Sequence, residues 1–351
     1  FALCQFMPGP ASSQLGMALG LIRAGPLGMF AAWLGFTLPS AVTMMLFAYG
    51  VAAIGDIGDA AWLKGLKLVA VAVVAQAVWG MARSLAPDRP RATLAVIATI
   101  VTLAAPSSLG QIAAIVMGGV AGATVLPPSE LTAGAGPCFG VRIARRAAIA
   151  LLVSFFVLLV ALSPLATSTN NETIRVVAAF YRAGALVFGG GHVLLPLLQA
   201  AVVPPGWVSN DVFLAGYGAA QALPGPLSTF AGYLGTVMNV SPNGWIGGLI
   251  GVVAIFLPSF LLVGGLLPFW EALRRRTAIQ AALRGINAAV VGVLLAALYT
   301  PVWTSAVRTP ADFSLAAAAF LLLTLWAVPP WAVVLAGAAA AAALKAAAVP
   351  L

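Results

Sequence analysis

Charge is scarce in this sequence: Lys and Arg number 17 and Asp and Glu 8 among 351 residues, or 7% in all. Soluble domains carry roughly 25% charged residues, so this chain cannot cover a water-facing surface. Histidine is rarer still. There is one, His192, with no His-Glu-x-x-His motif and no carboxylate pair on a facing helix, and Glu130, Glu172 and Glu271 all fall in expected loops. An intramembrane enzyme or a metal centre would need such groups, so no catalytic residue, cofactor or metal is expected. The two cysteines, Cys4 and Cys138, supply neither a disulfide framework nor metal-ligand spacing, and Cys138 is expected as a free thiol.

What the chain has instead is apolar length, 62% of it hydrophobic. The apolar runs are continuous and rich in Ala, Leu and Val, which excludes the alternating segments of about ten residues that a membrane β-barrel requires. The expected fold is an all-α, polytopic integral membrane bundle. Spans are expected at 27–54, 62–82, 92–105, 109–126, 147–166, 174–199, 244–269, 282–300, 313–328 and 331–349. Two further segments, 1–22 and 211–235, are interrupted by Pro-Gly-Pro and read as hairpins or broken helices. The segments 92–105 and 109–126 are short for a bilayer of about 30 Å, and read either as a tightly turned pair around Pro106-Ser107-Ser108 or as segments partly shielded by protein.

The net charge of +9 belongs to loops rather than to a nucleic-acid surface. Arg83, Arg89 and Arg91 form one basic loop, Arg142, Arg145 and Arg146 a second, and Arg274, Arg275 and Arg276 a third. Gly55-Asp56-Ile57-Gly58-Asp59 is acidic, and Ser168-Thr169-Asn170-Asn171-Glu172 is polar with one negative charge. With the basic loops in the cytoplasm and the others outside, the chain alternates correctly through every span. Lys64, Lys67, Arg284 and Lys345 lie near span ends and read as snorkelling anchors.

The sequence repeats itself. Gln5-Phe6-Met7-Pro8-Gly9-Pro10-Ala11-Ser12-Ser13 recurs as Gln221-Ala222-Leu223-Pro224-Gly225-Pro226-Leu227-Ser228-Thr229; Leu38-Pro39-Ser40 recurs as Leu257-Pro258-Ser259; Leu63-Lys64-Gly65-Leu66-Lys67 recurs as Leu283-Arg284-Gly285-Ile286-Asn287. The offsets are 216, 219 and 220, which is the drift of a tandem duplication. The loop between the second and third matches is acidic in one copy and basic in the other, so the copies are expected to be inverted in the membrane. The expected organisation is a first repeat over 1–126, a basic loop with a linker helix (147–166) over 127–173 that inverts the topology, and a second repeat over 174–351. Copy two starts well before its Pro-Gly-Pro, with Gly189-Gly190-Gly191-His192. The counterpart in copy one is expected about 30 residues before Phe1, beyond the start of this sequence.

Proline lacks an N–H and clashes with the preceding turn, so Pro-Gly-Pro ends a helix, and in lipid such a break is tolerated only inside protein or along a cavity. A single Pro-Gly-Pro reads as a kink that shapes a bundle. Two equivalent ones, each flanked by Gln and paired hydroxyls, read as an anion site. The half-helix that starts beyond each break carries about half a positive charge at its N-terminus, where Ser12 and Ser13, or Ser228 and Thr229, stand in the first turn. The candidate binding set is therefore Gln5, Pro8, Gly9, Pro10, Ser12 and Ser13 with Gln221, Pro224, Gly225, Pro226, Ser228 and Thr229. Gly189, Gly190, Gly191, His192 and Arg182 join it from the interrupted segment 174–199. His192 either donates to an anion, carries a proton or bonds a neighbouring backbone group. Arg182 either turns towards the site or snorkels.

Leu3-Cys4-Gln5-Phe6-Met7-Pro8-Gly9-Pro10-Ala11-Ser12-Ser13-Gln14 resembles the N-terminal signature of the chromate ion transporter family. Tyr181-Arg182-Ala183-Gly184-Ala185-Leu186-Val187-Phe188-Gly189-Gly190-Gly191-His192 and Gln221-Ala222-Leu223-Pro224-Gly225-Pro226 resemble its second-half signatures. The resemblance covers essentially the whole chain and implies two homologous halves of opposite orientation. It also implies export of the chromate dianion, with sulfate as analogue, across the inner cell membrane. The implied partners are a chromate or sulfate anion and the lipid bilayer, with a homodimer left open and no nucleic acid. An importer of sulfate or another oxyanion with a coupled cation is the alternative; an intramembrane enzyme fits less well.

Overall fold

The structure, a computed structural model, describes residues 7–54, 61–127, 143–169, 171–188, 190–269 and 276–347. Every regular element among them is helical. Helix α1 (Ala11–Ile54) is followed by α2 (Ala61–Leu85), α3 (Arg89–Ala104), α4 (Ser108–Val125), α5 (Arg145–Ser168), α6 (Glu172–Ala185) and α7 (Leu194–Val202). The chain continues through α8 (Asn210–Ala220), α9 (Phe230–Val237), α10 (Gly244–Leu266), α11 (Thr277–Ala297), α12 (Pro310–Thr324) and α13 (Pro330–Ala346). Six stretches are long and apolar enough to cross a membrane: Ala11–Ala53, Trp62–Leu85, Ser108–Val125, Arg145–Ser168, Gly244–Phe269 and Thr277–Ala306. The protein is an all-α, multi-pass membrane protein. The exposed flank of α5, with Phe156 58% and Val160 71% exposed, is the kind of continuous apolar surface that water would not tolerate and lipid does.

One expected span, 174–199, is not a simple crossing: α6 ends at Ala185 and α7 begins at Leu194. Helix α1 loses helical geometry at Ala24 and at Gly25, whose φ is +68°. Residues Gly20 and Gly28 then touch backbone to backbone, although eight residues of straight helix would separate them by about 12 Å. The chain therefore doubles back, and α1 has two arms. The same device recurs between α9 and α10: Gly244 has φ +60°, and the backbones meet at Gly235 and Gly247. Only glycine takes such a φ without strain and lets two helix backbones approach this closely.

The two halves also pack in exchanged fashion. Helix α2 lies against α12 and α13, while α11 lies against α3 and α4. At the first crossing a Cβ on Gly65 would stand 2.8 Å from Ala338 Cα; at the second, a Cβ on Gly285 would stand 2.6 Å from Gly122 Cα. Gly65 and Gly285 stand at matching positions of the recurring segments 63–67 and 283–287. The short helix pairs α3–α4 and α12–α13 thus pack on α11 and α2 respectively.

Charges settle by pairing as well as by snorkelling. Lys64, an expected anchor, holds Asp312 of α12 at 2.9 Å, with the Asp312 side chain fully buried. Lys67 holds Asp211 of α8 at 2.8 Å. Glu172, expected in a loop, is the first residue of α6 and pairs with Arg175. Glu130, Glu271, Cys4, Cys138, Arg142, Arg274, Arg275 and the acidic loop 55–59 lie outside the described residues.

Candidate functional site

Three chain breaks carry the site. The first, Pro8-Gly9-Pro10, leads into the first arm of α1; the second, Leu186–Gly190, leads through a 3-10 turn (Gly191–Val193) into α7; the third, Gln221–Pro226, leads through a 3-10 turn (Leu227–Thr229) into α9. Each contains a glycine with a similar positive φ: +130° at Gly9, +139° at Gly190 and +144° at Gly225. L side chains are strained there, which explains why glycine occupies all three. Breaks one and two are joined directly, since the Gly9 N–H donates to the Val187 carbonyl at 2.5 Å.

These breaks surround one cavity of about 380 Å³. Pro10, Ala11 and Ser12 line it from the first break, Gly190, Gly191 and His192 from the second, and Ala220, Gln221, Leu223, Gly225 and Leu227 from the third. Each break opens a helix on this space, so three helix N-termini converge, each a partial positive charge with unpaired N–H groups. Gln221 adds an amide Nε2 that has no partner among the described residues. His192 Nδ1 lies 3.1 Å from the Tyr217 hydroxyl. Among the described residues no acidic side chain and no Lys or Arg lines the cavity. A wall of uncharged donors and helix termini suits an oxygen-rich anion.

The breaks are held by distant parts of the chain. A Cβ on Gly9 would lie 2.6 Å from Ser259 Oγ, and one on Gly225 would lie 2.5 Å from Ser40 Oγ. Ser40 and Ser259 end the two Leu-Pro-Ser segments, so each Pro-Gly-Pro glycine rests on the serine of the Leu-Pro-Ser segment remote from it. Gln14, wholly buried, reinforces the first contact: its Nε2 donates to the Pro8 carbonyl at 2.6 Å and to Ser259 Oγ at 3.3 Å.

Of the residues expected from the sequence, Pro10, Ser12, Gly190, Gly191, His192, Gln221 and Gly225 meet at the cavity. Ser13 and Ser228 are buried beside it with hydroxyls that find no partner among the described residues. Thr229 Oγ1 turns back onto the Pro226 carbonyl at 2.9 Å, and Pro8, Gly9, Pro224 and Pro226 shape the breaks without lining the space. Arg182 is not brought in. It lies in a separate narrow cleft with Ser108, Ile112 and Leu197. Gln5 and Gly189 lie outside the described residues. Gln14, Ser40, Ser259 and Tyr217 had no expected role; the repeated Leu-Pro-Ser was visible as a marker of duplication, but its contact with the other copy's glycine was not.

Comparison with known proteins follows the same two halves. The family described as chromate transporter matches residues 1–123 and 174–342. The chromate transport protein of Pseudomonas aeruginosa is 29% identical over 330 residues, covering 93% of this chain and 76% of its own. That of Cupriavidus metallidurans is 25% identical over 320 residues, covering 88% and 73%. The transporter YwrA of Bacillus subtilis is 34% identical over 125 residues, 35% of this chain and 68% of its own. No solved structure matches the chain.

Proposed function

Because the chain belongs to the chromate transporter family, we propose that it is a secondary transporter that binds the chromate dianion, with sulfate as analogue, in the cavity between its three chain breaks. The observation that carries this reading is the convergence of three helix N-termini, Ser12, His192 and Gln221 on one space with no acidic group among its described lining residues. Intact backbone N–H donors and small hydroxyls match a tetrahedral oxyanion through hydrogen bonds whose strength rises with the anion's charge.

The site lies between two inverted repeats, and transport proceeds by alternating access as one repeat rocks against the other. The exchanged contacts Gly9–Ser259 and Gly225–Ser40, and Gly65–Ala338 and Gly285–Gly122, support a two-fold relation between the copies. The basic and acidic loops at equivalent positions support its inversion. In the inner membrane, a dianion leaving a negative-inside cell gains about 4.6 kcal/mol per 100 mV, at roughly 2.3 per charge, which favours export. The test is chromate movement in everted vesicles carrying the protein. Accumulation inside them supports export; accumulation by intact cells instead supports import of an oxyanion.

A further inference from the structure

Among the described residues His192 is the one imidazole in the cavity wall, the side chain whose ordinary charge change falls near neutral pH, and its hydrogen-bond partner suits either protonation state. Its one partner among the described residues is the Tyr217 hydroxyl, which can donate to a bare Nδ1 or accept from an Nδ1–H. A carboxylate there would fix the ring as a cation, and a carbonyl would fix one tautomer. The hydroxyl accepts either protonation state, and it leaves Nε2 without a described partner on a residue that borders the cavity.

Among the described residues no neighbouring charge substitutes for that imidazole. On α6, Glu172 and Arg175 pair with each other, Tyr181 donates to the Phe155 carbonyl, and Arg182 lies in its own cleft. On α8, Asp211 is paired with Lys67; on α9, Tyr233 donates to the Val212 carbonyl; on α11, Arg284 bonds the Pro127 carbonyl. Helix α7 and the turn Leu227–Thr229 carry no titratable side chain. Arg23 stands exposed at the far end of the first arm of α1, about 18 Å of helix from Ala11.

A dianion entering this cavity therefore meets fixed partial charges and a single adjustable one. We propose that anion binding is coupled to protonation of His192: a proton from solvent adds to the imidazole, and the resulting N–H donates to an anion oxygen. This proposal rests on the assignment of the cavity as the anion site. By linkage, affinity for a dianion rises as pH falls, by up to about tenfold per unit for one proton taken up.

Sulfate is the suitable probe, because it stays a dianion where chromate itself takes up a proton. Titration calorimetry of the full chain with sulfate, between about pH 5.5 and 8.5 around the ordinary imidazole range, reads the affinity. Repeating it in two buffers of different ionisation heat counts the protons. The expected result is an affinity that climbs as pH falls, with proton uptake approaching one per sulfate, and a His192→Gln variant that binds weakly and equally at every pH. A flat wild-type profile, or a His192→Gln profile that keeps its slope, overturns the coupling while leaving the site intact. Absence of both sulfate and chromate binding at every pH overturns the site and the coupling with it. If His192→Gln does not fold, the wild-type proton count decides alone: near one supports the coupling, and zero overturns it.

Discussion

Gly225 rests against Ser40 so closely that a methyl group there would lie 2.5 Å from the serine oxygen, and Gly9 stands in the same relation to Ser259 at 2.6 Å. Each break is thus seated on a distant long helix, Gly225 on α1 and Gly9 on α10. Gly225→Ala combines this clash with a φ of +144°, a region that costs non-glycine residues about 1–3 kcal/mol. Transport by Gly225→Ala is expected to fall at least tenfold with the protein still in the membrane. Adding Ser40→Ala removes the clash but not the strain, so it restores activity only in part. Vesicle transport assays on the single and double variants check this, and full recovery in the double would show that the backbone angle is unimportant.

Ser12 and Gln221 reach the cavity from breaks one and three. A lost hydrogen bond to a charged ligand costs about 1.5–3 kcal/mol, or roughly 10- to 150-fold in affinity. Ser12→Ala and Gln221→Ala are each expected to weaken chromate binding within that range. Thr229→Val, whose hydroxyl faces the Pro226 carbonyl, is expected to leave it within about threefold. Binding isotherms on the three variants separate the cavity wall from its surroundings.

Two ion pairs join α2 to copy two, and burial predicts their different weights. Asp312 is fully buried beneath Lys64, and its other oxygen accepts from the Arg308 and Thr309 N–H groups at 3.0 Å. Lys64→Met strands that carboxylate. Breaking a wholly buried pair costs 3–5 kcal/mol; with the backbone donors retained and Lys64 partly exposed, about 2 kcal/mol is expected. Asp211 is half exposed, so Lys67→Met is expected to cost less than about 1 kcal/mol. Thermal unfolding of the two variants in detergent gives the ranking.

Gly65 and Gly285 occupy equivalent crossings, each against backbone atoms of the opposite copy's short helix pair. Because backbone cannot yield as a flexible side chain does, Gly65→Val and Gly285→Val must push the helices apart. Overpacking of this kind costs about 1–3 kcal/mol, and the two variants are expected to lose similar amounts. Unfolding midpoints that differ widely would argue against equivalent packing.

Much of this architecture is written where proline and glycine interrupt apolar runs. Pro8-Gly9-Pro10 and Pro224-Gly225-Pro226 mark their breaks because each local residue is incompatible with a continuous helix, and Gly189 to Gly191 flagged the interruption near His192. The recurrence was legible in the same way: Leu-Pro-Ser and the Lys64 and Arg284 segments recur in order. The contacts that seat the breaks were not legible. Gly225 and Ser40 are far apart in the chain, and no local pattern states which copy's serine meets which glycine. Arg182 shares a motif with His192, yet the bend at Leu186–Gly190 separates them. Lys64 read as a snorkelling anchor because its partner, Asp312, lies in a helix that only the fold brings near.

The central claim is that the cavity between the three breaks holds the oxyanion. An experimental structure of the full chain with chromate, located by the anomalous signal of chromium, tests it most directly. The account predicts chromium inside the cavity, with its oxygens within hydrogen-bonding reach of Ser12, Gly191, His192 and Gln221. Chromium in the Arg182 cleft beside Ser108, with the cavity vacant at saturating chromate, would contradict it.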